Sequence, residues 1–324
     1  MSSDDHRLDA VAASRDGQPL RIVVGWDKNS SDGVALAAWL GRSMPVEVSV
    51  ISTVPRSWTK SLSSKKYKKW LKAEASRYAD KASAVLNEHL SPAQFGAPPF
   101  TLIDAFDEPA ALMNAAQDRD ADLIILGTSV KPKKARFMAS PYSSELLHSS
   151  PISLGLAPKG LKLSKKGVTR VNYLFLYADR DRDSSGLRDA VRTATSISVP
   201  LRLVSMFPEL PDAEEFDTFV HTVGAARDWY ESSLALLDRA RDEALRYAAE
   251  LSPTAAENLE VETALAYGGG WDKAVDSLKW KRGDLMCLGS RPKAQGHQVF
   301  IGSRASELLR HAPAPVMIFP RLEA

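Results

Sequence analysis

Three positions near the end of the chain have the residue types and spacing that phosphate binding requires. Gly289 ends a run of apolar residues, and Gly302 follows thirteen positions later, with Ser303 next to it. A glycine at a strand end lets a ligand approach the backbone closely, and a helix that begins at Gly-Ser offers free N–H groups to an anion. No Gly-Lys-Ser/Thr follows, so the predicted phosphate-binding loop is not of the Walker type.

The elements that must position these residues occur twice in the sequence. Residues 122–127 (DLIILG) match residues 284–289 (DLMCLG), and the shift of 162 persists to the ends of both halves. Because 162 is half of the 324-residue chain, the sequence indicates a tandem repeat of one domain. Each half alternates strand and helix patterns, which predicts a parallel sheet with helices on both faces. The expected fold class is α/β, with two tandem, doubly wound, five-stranded Rossmann-like domains.

The expected boundaries are a disordered polar tail at 1–18, a first domain at 19–158, a linker at 159–168 and a second domain at 169–324. Strands are predicted at 21–26, 46–53, 100–105, 122–127, 152–157, 170–178, 201–206, 260–266, 284–289 and 316–319. Helices are predicted at 31–43, 64–90, 109–117, 141–148, 184–196, 226–251, 271–281 and 302–311.

Composition excludes several classes of protein. A net charge of +2 gives no electrostatic reason for binding nucleic acid or a membrane, and no apolar run approaches the roughly 20 residues that span a bilayer. The tail lacks the apolar core of a signal peptide, so we expect a cytoplasmic protein. Cys287, the single cysteine, stands in an apolar strand pattern and is expected to be a buried structural thiol.

Polar features of the second half fall at the carboxyl ends of predicted strands, where open parallel sheets bind ligands. Asp179 follows the first strand, Gly289 follows the fourth, and Gly302 and Ser303 begin the last helix. The carboxylate could accept hydrogen bonds from a nucleobase amine or a ribose hydroxyl. The glycines and the helix start suit phosphates. Together these features predict a nucleotide lying across the sheet edge.

With these residues the chain resembles the universal stress protein family over nearly its whole length, as two tandem copies. The family signature is Gly, two residues, Gly, nine residues, Gly and then Ser or Thr. Gly289, Gly302 and Ser303 match it, whereas Pro292 replaces the second glycine. The segment 306–316 (SELLRHAPAPV) is the most specific part of the match. The resemblance implies domains of the adenine nucleotide alpha hydrolase-like type and a non-catalytic stress-response protein that binds ATP, with or without Mg²⁺.

The resemblance also implies a role for particular residues of the second half. The first-strand aspartate would contact the adenosine, the end of the second strand would supply a backbone contact, and the glycine motif would hold the phosphates. Pro292 lacks an N–H group, and a neighbouring arginine could compensate with positive charge. The implied nucleotide-binding residues are Asp179, Met206, Gly289, Arg291, Gly302 and Ser303.

The corresponding site in the first half is predicted to be degenerate. Of the glycine signature only Gly127 remains, and Pro141 offers no N–H to a phosphate at the first helical position. Asp27 matches Asp179, and Ser140 could cap the following helix. We therefore expect Asp27, Gly127 and Ser140 to be the remnants of a lost nucleotide site.

Two alternatives to a nucleotide-binding stress protein stay open. Pro292 and the eroded first half favour an interaction module that no longer binds ATP. A weak ATPase is the other alternative, although residues 28–32 and 180–184 lack the Ser-Gly-Gly-type loop of related adenylating enzymes. No catalytic residue is expected, and the histidines lack the spacing of metal ligands.

The resemblance further implies that the last strands of the two halves, 152–157 and 316–319, pair with each other. Pairing would cover two apolar edge strands, which are otherwise prone to aggregate. The expected product is an intramolecular pseudo-dimer, whose further oligomerisation the sequence leaves open.

Overall fold

The computed structural model describes residues 18–28, 30–56, 64–128, 137–176, 185–209, 224–290 and 298–320. The first half contains, in order, β1 (Leu20–Gly25), α1 (Asp32–Leu40), β2 (Val46–Pro55), α2 (Ser64–His89), β3 (Phe95–Ala105), α3 (Glu108–Gln117), β4 (Leu123–Gly127), α4 (Pro141–Leu146) and β5 (Ser153–Ala157). The second half contains β6 (Arg170–Phe175), α5 (Ser185–Ser196), β7 (Leu201–Phe207), α6 (Gly224–Leu251), α7 (Pro253–Asn258), β8 (Val261–Tyr267), α8 (Trp271–Asp276), β9 (Asp284–Gly289), α9 (Ser303–Leu309) and β10 (Val316–Phe319).

All ten strands belong to one sheet, in the order β3-β2-β1-β4-β5-β10-β9-β6-β7-β8. Neighbouring strands are parallel within each half, whereas β5 and β10 pair antiparallel, with Leu154 opposite Ile318. Backbone bonds reinforce this junction, because Val299 N–H donates to the Ser150 carbonyl at 2.7 Å. The predicted α/β fold and intramolecular pseudo-dimer are confirmed.

The core consists of two apolar layers, one on each face of the sheet. Alternate residues of β1 divide between them, since Ile22 and Val24 join one layer and Val23 joins the other. Helices α1, α2, α5 and α6 cover the first layer, and α3, α4, α8 and α9 cover the second. Cys287 is fully buried in β9, and this burial raises the pKa of its thiol, in keeping with the predicted structural role.

The largest differences from the predicted pattern concern three elements. Strand β3 begins at Phe95, five residues before its predicted start. Helix α8 ends at Asp276 rather than near residue 281, because the chain folds back and the Trp280 indole donates to the Val275 carbonyl at 2.8 Å. Helix α7 was not predicted, and it is begun by the Ser252 side chain, which accepts from Ala255 N–H at 3.0 Å.

The predicted linker runs along the ends of α1. Gly160 N–H donates to Asp32 Oδ1 at 3.0 Å, and Val168 N–H donates to Ser43 Oγ at 2.8 Å. Gly160 and Gly167 adopt φ values of 63° and 78°, which glycine tolerates best. The connection between the halves is therefore anchored to the first half. Within the described ranges, every helix is too short or too polar to cross a membrane.

Candidate functional site

The carboxyl ends of the inner strands meet the start of the last helix in each half. In the first half these are the ends of β1 and β4 and the start of α4, which we call the first-half site. In the second half they are the ends of β6 and β9 and the start of α9, which we call the second-half site. Both lie where an open parallel sheet binds its ligands.

Two glycines bring backbones into close contact at the second-half site. A Cβ atom on Gly186, in the first turn of α5, would lie 2.6 Å from the Cα of Gly289. A Cβ atom on Gly289 would lie 2.8 Å from the Tyr173 hydroxyl. The close packing of α5 and Tyr173 against the end of β9 therefore requires glycine at both positions. Sequence reasoning identified Gly289 but missed Gly186, although Gly33 occupies the same position in α1.

A hydroxyl group after each strand-end glycine joins the two ends of the following loop. Ser290 Oγ accepts from Phe300 N–H at 3.2 Å and donates to the Phe319 carbonyl at 2.6 Å. In the first half, Thr128 Oγ1 accepts from Met138 N–H and donates to the Met138 carbonyl, both at 3.0 Å. These hydroxyl clamps bring Gly289 close to Gly302, and Gly127 close to Ser140. The spacing of 162 between Thr128 and Ser290 was the signal that could have identified them.

The starts of the two last helices differ chemically. At α9, Gly302 is extended (φ −84°, ψ 174°) and no side chain caps the helix, with Ser303 exposed in its first position. At α4, the Ser140 side chain accepts from Ser143 N–H at 3.2 Å, and Ser143 Oγ accepts from Ser140 N–H at 2.7 Å. Pro141 has no N–H group. The N–H groups at the start of α9 thus have no side-chain cap, whereas at α4 the Ser143 N–H is capped and Pro141 has no N–H group.

Arg304 brings positive charge to the second-half site. Its Nη1 donates to the Leu176 carbonyl at 3.2 Å, its Nη2 pairs with Glu209, and its guanidinium lies over the Phe207 ring at 5.6 Å. Sequence reasoning missed Arg304 because it follows the glycine signature rather than belonging to it. Its counterpart at the shift of 162 is Tyr142 of the first half.

The residues predicted for the second-half site are only partly described. The structure brings Gly289, Gly302 and Ser303 to one edge of the sheet. Met206 is the second-last residue of neighbouring β7, with its side chain buried in the core and its backbone paired with Ala266 of β8. Asp179 and Arg291, together with Pro292, lie outside the described residues.

The first-half site contains a cavity of about 250 Å³. The three predicted remnants, Asp27, Gly127 and Ser140, all line it. Gly127 has space around it, because a Cβ atom there would meet nothing closer than 3.9 Å. The other lining residues are Val24, Gly25, Trp26, Ser30, Gly33, Thr53, Glu108, Leu126, Thr128, Tyr142 and Ser143. Across the described part of this lining, Asp27 and Glu108 are the charged residues.

Tyr142 stays a neutral hydroxyl in this cavity. Burial raises the pKa of its phenol well above the usual value, and the Glu108 carboxylate acts in the same direction. A hydrogen bond with the Thr53 side chain opposes this shift but does not cancel it. The phenol therefore offers a donor and an acceptor at neutral pH. As to metals, the described residues contain no group of three or more His, Cys, Asp or Glu side chains placed to hold an ion.

The model of the universal stress protein family matches the chain twice, at residues 20–157 and 179–320. Universal stress protein Rv2319c of Mycobacterium tuberculosis is 23% identical over 216 residues, which cover 65% of this chain and 68% of that protein.

Among solved structures, a universal stress protein from Archaeoglobus fulgidus matches with a TM-score of 0.57 and 14% identity, covering 94% of this chain and all of that one. The protein PA1789 from Pseudomonas aeruginosa, described as functionally unknown, matches with a TM-score of 0.50 and 13% identity, covering 95% of this chain and 94% of that one. These structures support the fold alone. Since the family model covers most of both halves, the chain belongs to the universal stress protein family and contains two tandem copies of its domain.

Proposed function

We propose that this chain is a non-catalytic, cytoplasmic stress-response protein that binds an adenine nucleotide, ATP with Mg²⁺, at the second-half site. The observation that carries the proposal is the uncapped start of α9 at Gly302 and Ser303, beside the end of β9 and the Arg304 guanidinium. Backbone N–H groups at a helix start that no side chain caps can bind phosphate directly.

The charge of the second-half site supports the same ligand. Arg304 already holds one carbonyl and one carboxylate at the edge of the sheet, and a guanidinium forms strong, charge-assisted bonds to phosphate oxygens. Phe207 and Trp229 stack beside it with ring centroids 5.1 Å apart, giving the edge an aromatic flank. The flank suits a planar base, and the arginine and helix start suit its phosphates.

The proposal assigns binding rather than turnover to this site. Its described polar groups include backbone N–H groups, the Tyr173 and Ser303 hydroxyls and the Arg304–Glu209 ion pair, in which the carboxylate is already engaged by the arginine. Cys287 is buried in the core of the sheet, away from the edge.

Calorimetric titration with Mg-ATP tests the proposal when the wild type is compared with Asp179→Asn and with the matched variant Asp27→Asn. We expect one saturable site per chain, weakened by Asp179→Asn and unchanged by Asp27→Asn. Absence of binding would favour the interaction module instead. Steady release of phosphate from bound ATP would favour the weak ATPase.

A further inference from the structure

We propose that the first-half cavity is a separate binding site for a small organic cation, a single ring that carries a protonated amine or amidine. The inference rests on a cavity that two carboxylates and a neutral phenol line, beside a helix start where a capping box and a proline reduce the donors available to anions. It goes beyond the proposed nucleotide site and involves the other half of the chain.

The size and walls of the cavity fit one substituted ring. Its volume is about 250 Å³. A cavity of about 150 Å³ is enough to hold benzene, so a ring with a short polar substituent fits here. Val24 and Leu126 provide buried apolar surface, and the Trp26 indole is fixed by its bond to the Ser30 carbonyl at 2.8 Å.

The charges of the lining select a cation. Glu108 is the first residue of α3 and only partly exposed, so its carboxylate interacts strongly with charge inside the cavity. Asp27 lies at the end of β1 on the outer rim. The two carboxylates attract a cation from opposite elements of the fold and repel an anion.

The groups that would bind phosphate are occupied in this half. The Ser140–Ser143 capping box uses the N–H groups at the start of α4, and Pro141 contributes none. The Thr128 hydroxyl is held by Met138. The position that carries a guanidinium in the second half, Arg304, carries the neutral phenol of Tyr142 here. A polyphosphate would therefore find no positive charge among the described lining residues and fewer backbone donors than at α9.

Ligand-observed saturation-transfer NMR on the full chain tests this inference with two probes of the same size and opposite charge. Benzamidine is the cationic probe and benzoate is the anionic one. We expect benzamidine to bind with a Kd of about 1 mM or below, and benzoate not to bind. Glu108→Gln should weaken benzamidine about tenfold, because it removes one partner of a partly buried charge pair. Glu145→Gln, an exposed carboxylate on α4 outside the cavity, should leave it unchanged.

Two further arms make the result decisive. Asp27→Asn alters an exposed rim residue and should also weaken benzamidine, so the test does not depend on the folding of one variant. Residues 129–136, outside the described ranges, contain three lysines and an arginine, so tripolyphosphate is included as a third probe. Binding of benzoate or tripolyphosphate that competes with benzamidine would overturn the inference, as would absence of benzamidine binding.

Different experimental results would overturn the inference and the proposed function. Saturating Mg-ATP should leave benzamidine binding unchanged, since the two ligands occupy different halves. Displacement of benzamidine by Mg-ATP would place both ligands in one site and overturn the inference, while leaving nucleotide binding established. A chain that binds benzamidine but no ATP would support the inference and overturn the proposed function.

Discussion

The first-half and second-half sites have the same framework and opposite electrostatics. Both are made from the ends of equivalent strands, a glycine after the fourth strand and a hydroxyl clamp. They differ in the residues at the helix starts, where Ser140 and Tyr142 of the first half stand against Gly302 and Arg304 of the second. The fold thus fixes where a ligand can lie, and a few substitutions decide which charge it must have.

The two halves also differ in how closely the first helix of each half packs against the neighbouring strands. A Cβ atom on Gly186 would meet backbone at 2.6 Å, whereas one on Gly33 would first meet a methyl group of Val24 at 2.9 Å. A valine methyl can shift by rotation or small displacement, but the end of a sheet strand cannot. The second half therefore depends more strictly on its glycine.

The largest expected effect comes from replacing these two glycines in turn. Gly186→Ala should lower the free energy of unfolding by about 1–3 kcal/mol and abolish Mg-ATP binding, because overpacking must displace β9. Gly33→Ala should cost less than about 1 kcal/mol, since alanine regains helix propensity in α1. Urea denaturation and calorimetry measure both. Equal destabilisation by the two variants would contradict the difference in backbone approach.

Exchanging the residues that set the charge should exchange ligand preference. Arg304→Tyr should weaken Mg-ATP binding about tenfold or more through the loss of a charge-assisted bond. Tyr142→Arg should abolish benzamidine binding, because it places a like charge in the cavity. Calorimetry and ligand-observed NMR on both variants measure the exchange. Unaltered ATP affinity in Arg304→Tyr would show that this arginine does not contribute to nucleotide binding.

Removing the hydroxyl clamps should lower the free energy of unfolding moderately, and the loss should be larger in the second half. Ser290→Ala loses bonds to two separate segments, at Phe300 and Phe319, and should cost about 1–2 kcal/mol. Thr128→Val loses bonds to one residue only and should cost about 1 kcal/mol. Hydrogen exchange at the amides of Phe300 and Met138 reports each clamp directly. A larger loss of protection at Met138 would reverse the expected ranking.

The smallest expected effect is on how the stability of the protein depends on acidic pH, through Asp104 beside the first-half site. The hydrogen bond from Arg56 to Asp104 holds the pKa of that carboxyl below its usual value. Asp104 therefore adds stability above about pH 4, and this contribution is lost as the pH falls through its lowered pKa.

Arg56→Gln should reduce this loss of stability on acidification. Because Arg56 is 46% exposed, solvent screening should keep the effect small. The same edge of the second half carries aromatic Phe207 and Tyr267 instead. Thermal melting between pH 3 and 7 measures the change, with Arg227→Gln in the exposed Arg227–Glu231 pair as the control. An identical acid response in both variants would exclude a special role for Asp104.

Much of the fold could be predicted from the sequence because the repeat was visible in two long apolar strands. The match between residues 122–127 and 284–289 located β4 and β9, and the alternation of strands and helices predicted the parallel sheet. The pseudo-dimer followed from the resemblance to the family. Short elements that depend on local capping were harder, as α7 and its Ser252 cap illustrate.

The candidate sites could be predicted less completely, because their character comes from tertiary contacts. Gly289, Gly302 and Ser303 followed from a motif. The roles of Gly186, Arg304 and Glu108 depend on which chain segments meet, and neighbouring residues in the sequence do not reveal that. The cavity around Asp27, Gly127 and Ser140 could not be predicted from the sequence either. Substitutions that remove phosphate donors do not necessarily fill the space that a ligand would occupy.

The antiparallel pairing of β5 with β10 has a consequence for how the two sites could diverge. In a dimer of identical chains, any substitution appears in both copies, so a residue that favours one ligand is imposed on both sites. Here the two copies belong to one polypeptide, and Pro141 or Arg304 occurs in one copy only. Dilution cannot separate them, because the linker keeps the local concentration of each half around the other high. The two halves therefore resemble the two different subunits of an obligate heterodimer, with one copy of each site in every molecule.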